Sequence, residues 1–126
     1  MKSVIEHVAQ KYGLEMVILF GSVAKNRANK NSDVDMVVLS HSKLVLKKEL
    51  ELRHELQNLF QKEVDLVFLQ DAGPLLLGQI AKDGRLIFGT KKKFDDFRIY
   101  AMKSYLDFEP YFRLQEKVNR YKLKHA

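Results

Sequence analysis

The chain has 126 residues, enough for one domain with a modest core but not for two. Hydrophobic residues make up 46% and charged residues 30%, as in an ordinary globular protein, and the absence of cysteine excludes disulfides and thiolate metal sites. The formal net charge is +6, and most of it belongs to residues 91–126, which hold 10 Lys+Arg against 5 Asp+Glu. No apolar run is long enough for a signal peptide or a membrane span, so we expect a cytoplasmic protein.

The first part of the chain predicts a helix followed by a central strand. Ser3 and Glu6 have the spacing of a capping box, and apolar residues at helical spacing follow, which predicts a helix over residues 4–12. Gly13 is a natural stop for that helix. Residues 15–20 are predicted to form a strand, and its apolar run indicates a central place in a sheet.

The remaining pattern alternates strands with helices. Further strands are predicted at 33–40, 64–69 and 85–89, and helices at 43–62 and from 74 to 84. This order predicts an α/β (α+β) domain, with a small mixed sheet of about four strands flanked by helices and a C-terminal helical tail. The sheet-facing side of the helix at 43–62 is predicted to carry Leu46, Leu50, Leu56, Leu59 and Phe60.

The residues that indicate a chemical function lie at the ends of two predicted strands. The first strand ends abruptly in Gly21-Ser22, and the second begins with Asp33-Val34-Asp35. Because side chains alternate along a strand, Asp33 and Asp35 point the same way, and like charges held so close repel unless a cation lies between them. Oxygen ligands of this kind suit Mg²⁺, while the Gly-Ser turn offers an open backbone and a hydroxyl donor to an anion. The pattern indicates a metal–triphosphate site.

The same residues resemble the signature of the nucleotidyltransferase superfamily related to DNA polymerase beta. That signature is Gly-Ser, a short helical turn, and Asp-x-Asp on the next strand, found here as Gly21-Ser22 and Asp33-Val34-Asp35. A third carboxylate is expected on a neighbouring strand, and Asp65 fits. The resemblance covers roughly residues 15–70 and implies a polymerase-beta-like fold.

The resemblance also implies a role for each of these residues. Two Mg²⁺ ions would be held by the three aspartates, with Asp33 and Asp35 bridging them and Asp65 completing the second site and accepting the proton of the attacking hydroxyl. ATP is the implied donor substrate. The nucleotide would be bound by residues in and beside the turn and the loop that follows it: Gly21, Ser22, Lys25, Arg27 and Ser32.

The loop after Ser22 departs from the family pattern. Family members commonly carry Arg-Gly where this chain has Lys25-Asn26. Lysine keeps the charge but loses the bidentate fork of arginine, and Arg27 could take the missing role. The alternative is that Lys25, Arg27 and Lys30 form a solvated loop surface with no ligand.

Residues 91–126 differ from the preceding 1–90, which we interpret as a minimal nucleotidyltransferase domain. The tail is basic and rich in aromatic residues at helical spacing, more than one small core can bury, so we expect part of it to bind a partner protein. Pro110 is expected to kink or split the tail helix at Glu109. Helical periodicity favours a packed protein interface over direct binding of nucleic acid.

The chain is similar to the minimal nucleotidyltransferases of bacteria and archaea, in particular to the antitoxin branch, with Tyr105-Leu106-Asp107-Phe108-Glu109-Pro110 as the resembling stretch of the tail. The resemblance implies a HEPN-domain toxin, a ribonuclease, as the partner, silenced by transfer of AMP to one of its tyrosines. Two other functions remain open from the residues alone. One is nucleotidyl transfer to a small molecule, such as an aminoglycoside, or to RNA; the other is a non-catalytic module that only binds the toxin.

Overall fold

The computed structural model of the protein describes residues 2–21 and 33–125. In these ranges the strands are β1 (Leu14–Phe20), β2 (Val34–Ser40), β3 (Val64–Phe68) and β4 (Arg85–Phe88), and the helices are α1 (Lys2–Tyr12), α2 (Leu46–Phe60), α3 (Pro74–Asp83) and α4 (Lys91–His125). A 3-10 turn, Leu69–Asp71, joins β3 to the loop before α3. The predicted α/β domain with a C-terminal helix is confirmed.

The four strands form one mixed sheet in the order β3-β2-β1-β4. Strand β1 pairs antiparallel with both β2 and β4, while β2 and β3 run parallel. The predicted central position of β1 is therefore correct. The pairing brings the end of β1 and the starts of β2, β3 and β4 to one edge of the sheet, called the carboxylate edge below because Asp35 and Asp65 lie there.

Each face of the sheet carries a separate hydrophobic core. Residues Val34, Met36 and Val38 of β2 pack against α1 and α2. Val37 of β2 points to the other face and packs against α3 and the start of α4. This alternation follows from the two-residue period of a strand, and it assigns every second residue of β2, Asp35 included, to the face covered by α3 and α4.

Several details differ from the sequence predictions. Helix α1 begins at Lys2, so Ser3 lies inside the helix rather than at its N-cap. Leu46 and Leu50 of α2, predicted to face the sheet, are 68% and 56% exposed. Leu52, which was not predicted to face the sheet, is fully buried. Of the kink or split predicted at Glu109, the split does not occur, since α4 continues through Pro110.

In the parts of the chain that the structure describes, no helix is both long enough and apolar enough to cross a membrane. Helix α4 has the length, but charged side chains interrupt it throughout.

An ion pair ties α1 to α2 and leads to a pH-dependent prediction. Lys11 Nζ lies 2.5 Å from Glu55 Oε1, and this hydrogen bond is the largest cause that lowers the pKa of Glu55 below its usual value, while burial acts in the opposite direction. Because the pKa is lower in the folded state than in the unfolded chain, the carboxylate stabilises the fold above the unfolded pKa, and this contribution is lost as the pH falls through the folded pKa. We expect Glu55→Gln to lower the free energy of unfolding by less than about 1 kcal/mol at neutral pH, since the pair is partly exposed.

Urea unfolding at neutral and at acid pH measures this effect. The difference between Glu55→Gln and the wild type should shrink as the pH falls below 4.5, the ordinary pKa of a glutamate. Glu116→Gln is the matched control, because Glu116 pairs with Arg120 on a single exposed helix. A difference for Glu55→Gln that stays constant across pH would show that the ion pair is not its cause.

Candidate active site

Asp35 and Asp65 lie side by side at the carboxylate edge. The two residues are register partners on the parallel strands β2 and β3, so their side chains leave the same face of the sheet at the same level. On its other side Asp35 is paired with Phe20, the last residue of β1. Gly21 follows directly, which places the predicted glycine turn beside the predicted carboxylates.

The carboxylates influence one another electrostatically. Asp35 is half-buried, and burial is the largest cause that raises its pKa above the ordinary value; the negative charges of Asp65 and Asp33 raise it further. Asp33 is exposed and directly precedes β2. Among the described residues, the charges that shift the pKa of Asp35 are therefore like charges, and a bound cation is the species that would offset their repulsion.

The backbone at Gly21 approaches the Asp35 carboxylate closely. Gly21 has φ +75°, a left-handed conformation that other residues adopt at a cost. A Cβ added there would fall on the carboxylate, with the Cγ atom of Asp35 3.2 Å away. Only glycine lets the chain turn at this point without displacing Asp35.

Side chains of α2 hold the start of β3 in place. Arg53 Nε donates a hydrogen bond to the Val64 carbonyl at 3.1 Å, and the Val64 N–H donates to Gln57 Oε1 at 3.3 Å. The Val34 N–H donates to the carbonyl of Glu63 at 2.9 Å, which fixes β2 against β3 immediately before the aspartates. Arg53 and Gln57 therefore position Asp65. Neither role could be predicted from the sequence, because polar residues four apart on a helix have no feature that separates them from a solvated surface.

The predicted metal site is only partly assembled in the described residues. Within 2–21 and 33–125, no three acidic or histidine side chains are placed so that they could hold a metal ion as they stand. The donor set nevertheless suits Mg²⁺, which typically takes one or two carboxylates and completes its coordination with phosphate oxygens and water. Asp35 and Asp65 supply such a pair, and a divalent cation would relieve the repulsion from Asp65 and Asp33 that helps to raise the pKa of Asp35.

The remaining predicted nucleotide-binding residues are Ser22, Lys25, Arg27 and Ser32. They lie outside the described residues, as does the short helical turn expected after Gly21. Their roles stay predictions. The Asp33–Asp35–Asp65 set and Gly21 are brought to one edge of the sheet, and their assignment to metal and nucleotide is likewise a prediction.

Comparison with known proteins identifies the family. The family model described as "Polymerase beta, Nucleotidyltransferase" matches residues 2–93. Protein adenylyltransferase MntA of Shewanella oneidensis is 32% identical over 91 residues, which cover 72% of this chain and 63% of MntA. The match therefore spans less than two thirds of that relative's length.

Solved structures share the fold over nearly the whole chain. A crystal structure of a toxin-antitoxin with AMP-PNP superposes with a TM-score of 0.80 at 24% identity, covering 96% of this chain and 98% of that one. The MNT–HEPN complex from Shewanella oneidensis, with a tri-AMPylated HEPN toxin, gives a TM-score of 0.73 at 23% identity, covering 96% and 95%. At such identities the likeness shows the fold alone, but the family model covers most of the chain. The chain belongs to the polymerase beta nucleotidyltransferase family.

Proposed function

We propose that this protein transfers AMP from ATP to a tyrosine hydroxyl of a HEPN-domain ribonuclease toxin and so acts as its antitoxin. The observation that carries the proposal is the pairing of Asp35 with Asp65 beside Gly21. A nucleotidyltransferase needs carboxylates of this kind next to a backbone that can approach phosphate. The similarity to a protein adenylyltransferase, and to an antitoxin solved with an AMPylated HEPN toxin, supports the acceptor class.

The aspartates would hold Mg²⁺. Bound there, the metal would neutralise charge on the triphosphate and help to align the attacking hydroxyl. We assign Asp33, Asp35 and Asp65 as its ligands, because their oxygens suit it chemically and two of them are register partners. The phosphates and the nucleotide are assigned to residues of the turn and loop: Gly21, Ser22, Lys25, Arg27 and Ser32.

In the proposed reaction the acceptor oxygen attacks the α-phosphorus of ATP. A phosphorus–oxygen bond to the acceptor forms, the bond to the bridging β-phosphate oxygen breaks, and pyrophosphate leaves. The hydroxyl proton passes to Asp65, which is exposed at the edge of the sheet and open to an incoming side chain. Arg53 and Gln57 keep Asp65 in register by holding the backbone of Val64.

The partner is proposed to bind the C-terminal segment. We divide the chain into a nucleotidyltransferase domain, 1–90, and a basic, aromatic-rich helical extension, 91–126. The number of exposed large apolar side chains on α4 supports this assignment, since a monomer gains nothing by exposing them. Because the proposed reaction consumes ATP, we place the protein in the cytoplasm, where ATP is abundant.

ATP labelled at a single phosphate tests the reaction class. The protein and a purified HEPN-domain protein, the proposed partner, would be incubated with Mg²⁺ and either α-³²P-ATP or γ-³²P-ATP. We expect the α-label on the partner and no γ-label, since AMP is the group transferred, and tandem mass spectrometry should locate it on a tyrosine. Label from γ-³²P-ATP would indicate phosphoryl transfer instead. α-Label appearing only on an added aminoglycoside or RNA would identify a different acceptor.

A further inference from the structure

Helix α4 changes character along its length. Its first part belongs to the folded body: Phe97 and Ala101 are buried against α3, and the ring of Tyr105 packs on Gly78, where an added Cβ would lie 2.6 Å from it. Beyond Pro110 no residue of the helix is buried. The last part, residues 111–125, is called the distal segment below.

The distal segment carries a narrow apolar seam. Its members recur at intervals of three and four residues, the spacing of one helix stripe, and none contributes to either core: Tyr111, Leu114, Val118 and Tyr121. Their exposures run from 41% to 67%, so the whole stripe is open. Leu123 is 82% exposed and lies off the seam, on the opposite side of the helix. A stripe this narrow suits a groove that accepts one helix better than a broad membrane surface.

Positive charge lines both sides of the seam. The distal segment holds five lysines and arginines and one acidic residue, Glu116. By helical spacing Lys117 and Lys124 border the seam on one side and Lys122 borders it on the other. In a second copy of this helix, parallel or antiparallel, these lysines would meet lysines, which disfavours self-association. The tyrosines lie with aliphatic residues rather than in alternation with the basic ones, which is unlike a surface that stacks bases.

From these observations we propose that the distal segment docks as a helix into an apolar groove with an acidic rim on the partner protein. The proposal rests on the proposed function for the identity of that partner, a HEPN-domain protein. It refines the role of the extension, because residues 91–105 serve the fold of the enzyme while residues 111–125 supply the affinity. Binding and chemistry then depend on different parts of the chain.

Paired variants of the full-length protein test this. In Leu114→Glu with Val118→Glu the seam is charged while helix propensity is kept, and Leu123→Glu is the matched control off the seam. Calorimetry with the purified HEPN partner should show the seam variant binding about 30-fold more weakly or worse, as for the loss of an interface hot spot, and the control within about threefold of wild type. Circular dichroism should show the same helix content in all three proteins.

A second pair of variants tests the acidic rim. Lys117→Glu with Lys124→Glu should weaken binding and reduce its dependence on salt, whereas Lys47→Glu on α2 should leave both nearly unchanged. Equal affinity of the seam variant and the wild type, or equal weakening by Leu123→Glu, would overturn the proposal. So would absence of binding by the wild type.

The same variants separate other occupants of the seam. A wild-type dimer by light scattering that the seam variant abolishes would assign the seam to a second copy. Seam-dependent binding to phosphatidylserine vesicles or to oligo(U) would assign it to a membrane or to RNA. Any of these results overturns the docking proposal. If the wild type binds the partner through the seam but adds no AMP, the docking proposal stands and the proposed function fails. If the seam variant transfers AMP as well as the wild type does, the proposed function stands and the docking proposal fails.

Discussion

Replacing Asp35 with asparagine is expected to slow AMP transfer by about 10³-fold or more, because the variant loses a carboxylate at the centre of the site. The substitution should not destabilise the fold. Burial, and then the charges of Asp65 and Asp33, raise the pKa of Asp35. Since the folded protein holds this proton more tightly than the unfolded chain, the ionised carboxylate destabilises the fold at neutral pH. Asparagine carries no charge, so the melting temperature without metal should be unchanged or higher.

Asp71→Asn is the matched control for this prediction. Asp71 is exposed and follows the far end of β3, away from the carboxylate edge, so the same substitution there should change neither transfer nor melting temperature appreciably. Rates would be measured by label transfer and stability by calorimetry in EDTA. Loss of activity accompanied by a clear fall in melting temperature would mean that Asp35 supports the fold rather than the chemistry.

Gly21→Ala is expected to lose most of its transfer activity, by about 10²-fold, and about 2 kcal/mol of stability. The φ of +75° disfavours any side chain, and the new Cβ would displace the Asp35 carboxylate. One added methyl group therefore causes both losses: the strained backbone lowers the stability, and displacement of the Asp35 carboxylate acts directly on the site.

Gly73→Ala provides the comparison. Gly73 has φ −80°, and an added Cβ meets nothing within 4 Å. The variant should keep its activity and lose less than about 1 kcal/mol, since the position is only the N-cap of α3. Equal activity in the two alanine variants, with folding intact by circular dichroism, would show that close approach of the backbone at Gly21 is not required.

The strand elements and the candidate site could be anticipated from the sequence because their signals are local. A run such as Met16 to Phe20 can be buried on both faces only in a central strand, which is where β1 lies. Asp33 and Asp35 are separated by one residue and must share a face. Which of the two faces of the sheet they occupy could not be predicted from the sequence, because it depends on which helices pack on each face.

Features that depend on packing were harder to predict. Leu50 and Leu52 are both leucines on α2 and point nearly opposite ways, so either could have faced the sheet; the structure buries Leu52. Pro110 does not break α4, although a proline inside a helix usually costs stability. Arg53 and Gln57 act through the backbone of Val64, a contact between two elements that no local pattern records.

Intact masses of both chains are the most direct measure of AMP transfer to a protein acceptor. The protein would be purified together with the proposed HEPN partner, incubated with ATP and Mg²⁺, and compared with the Asp35→Asn variant treated identically. We expect one or more added AMP units on the HEPN protein, none with the variant or with EDTA, and a complex that forms in every case. An unchanged mass of the HEPN protein in a complex that forms normally would contradict this expectation. It would indicate a protein that binds the HEPN protein without transferring AMP to it.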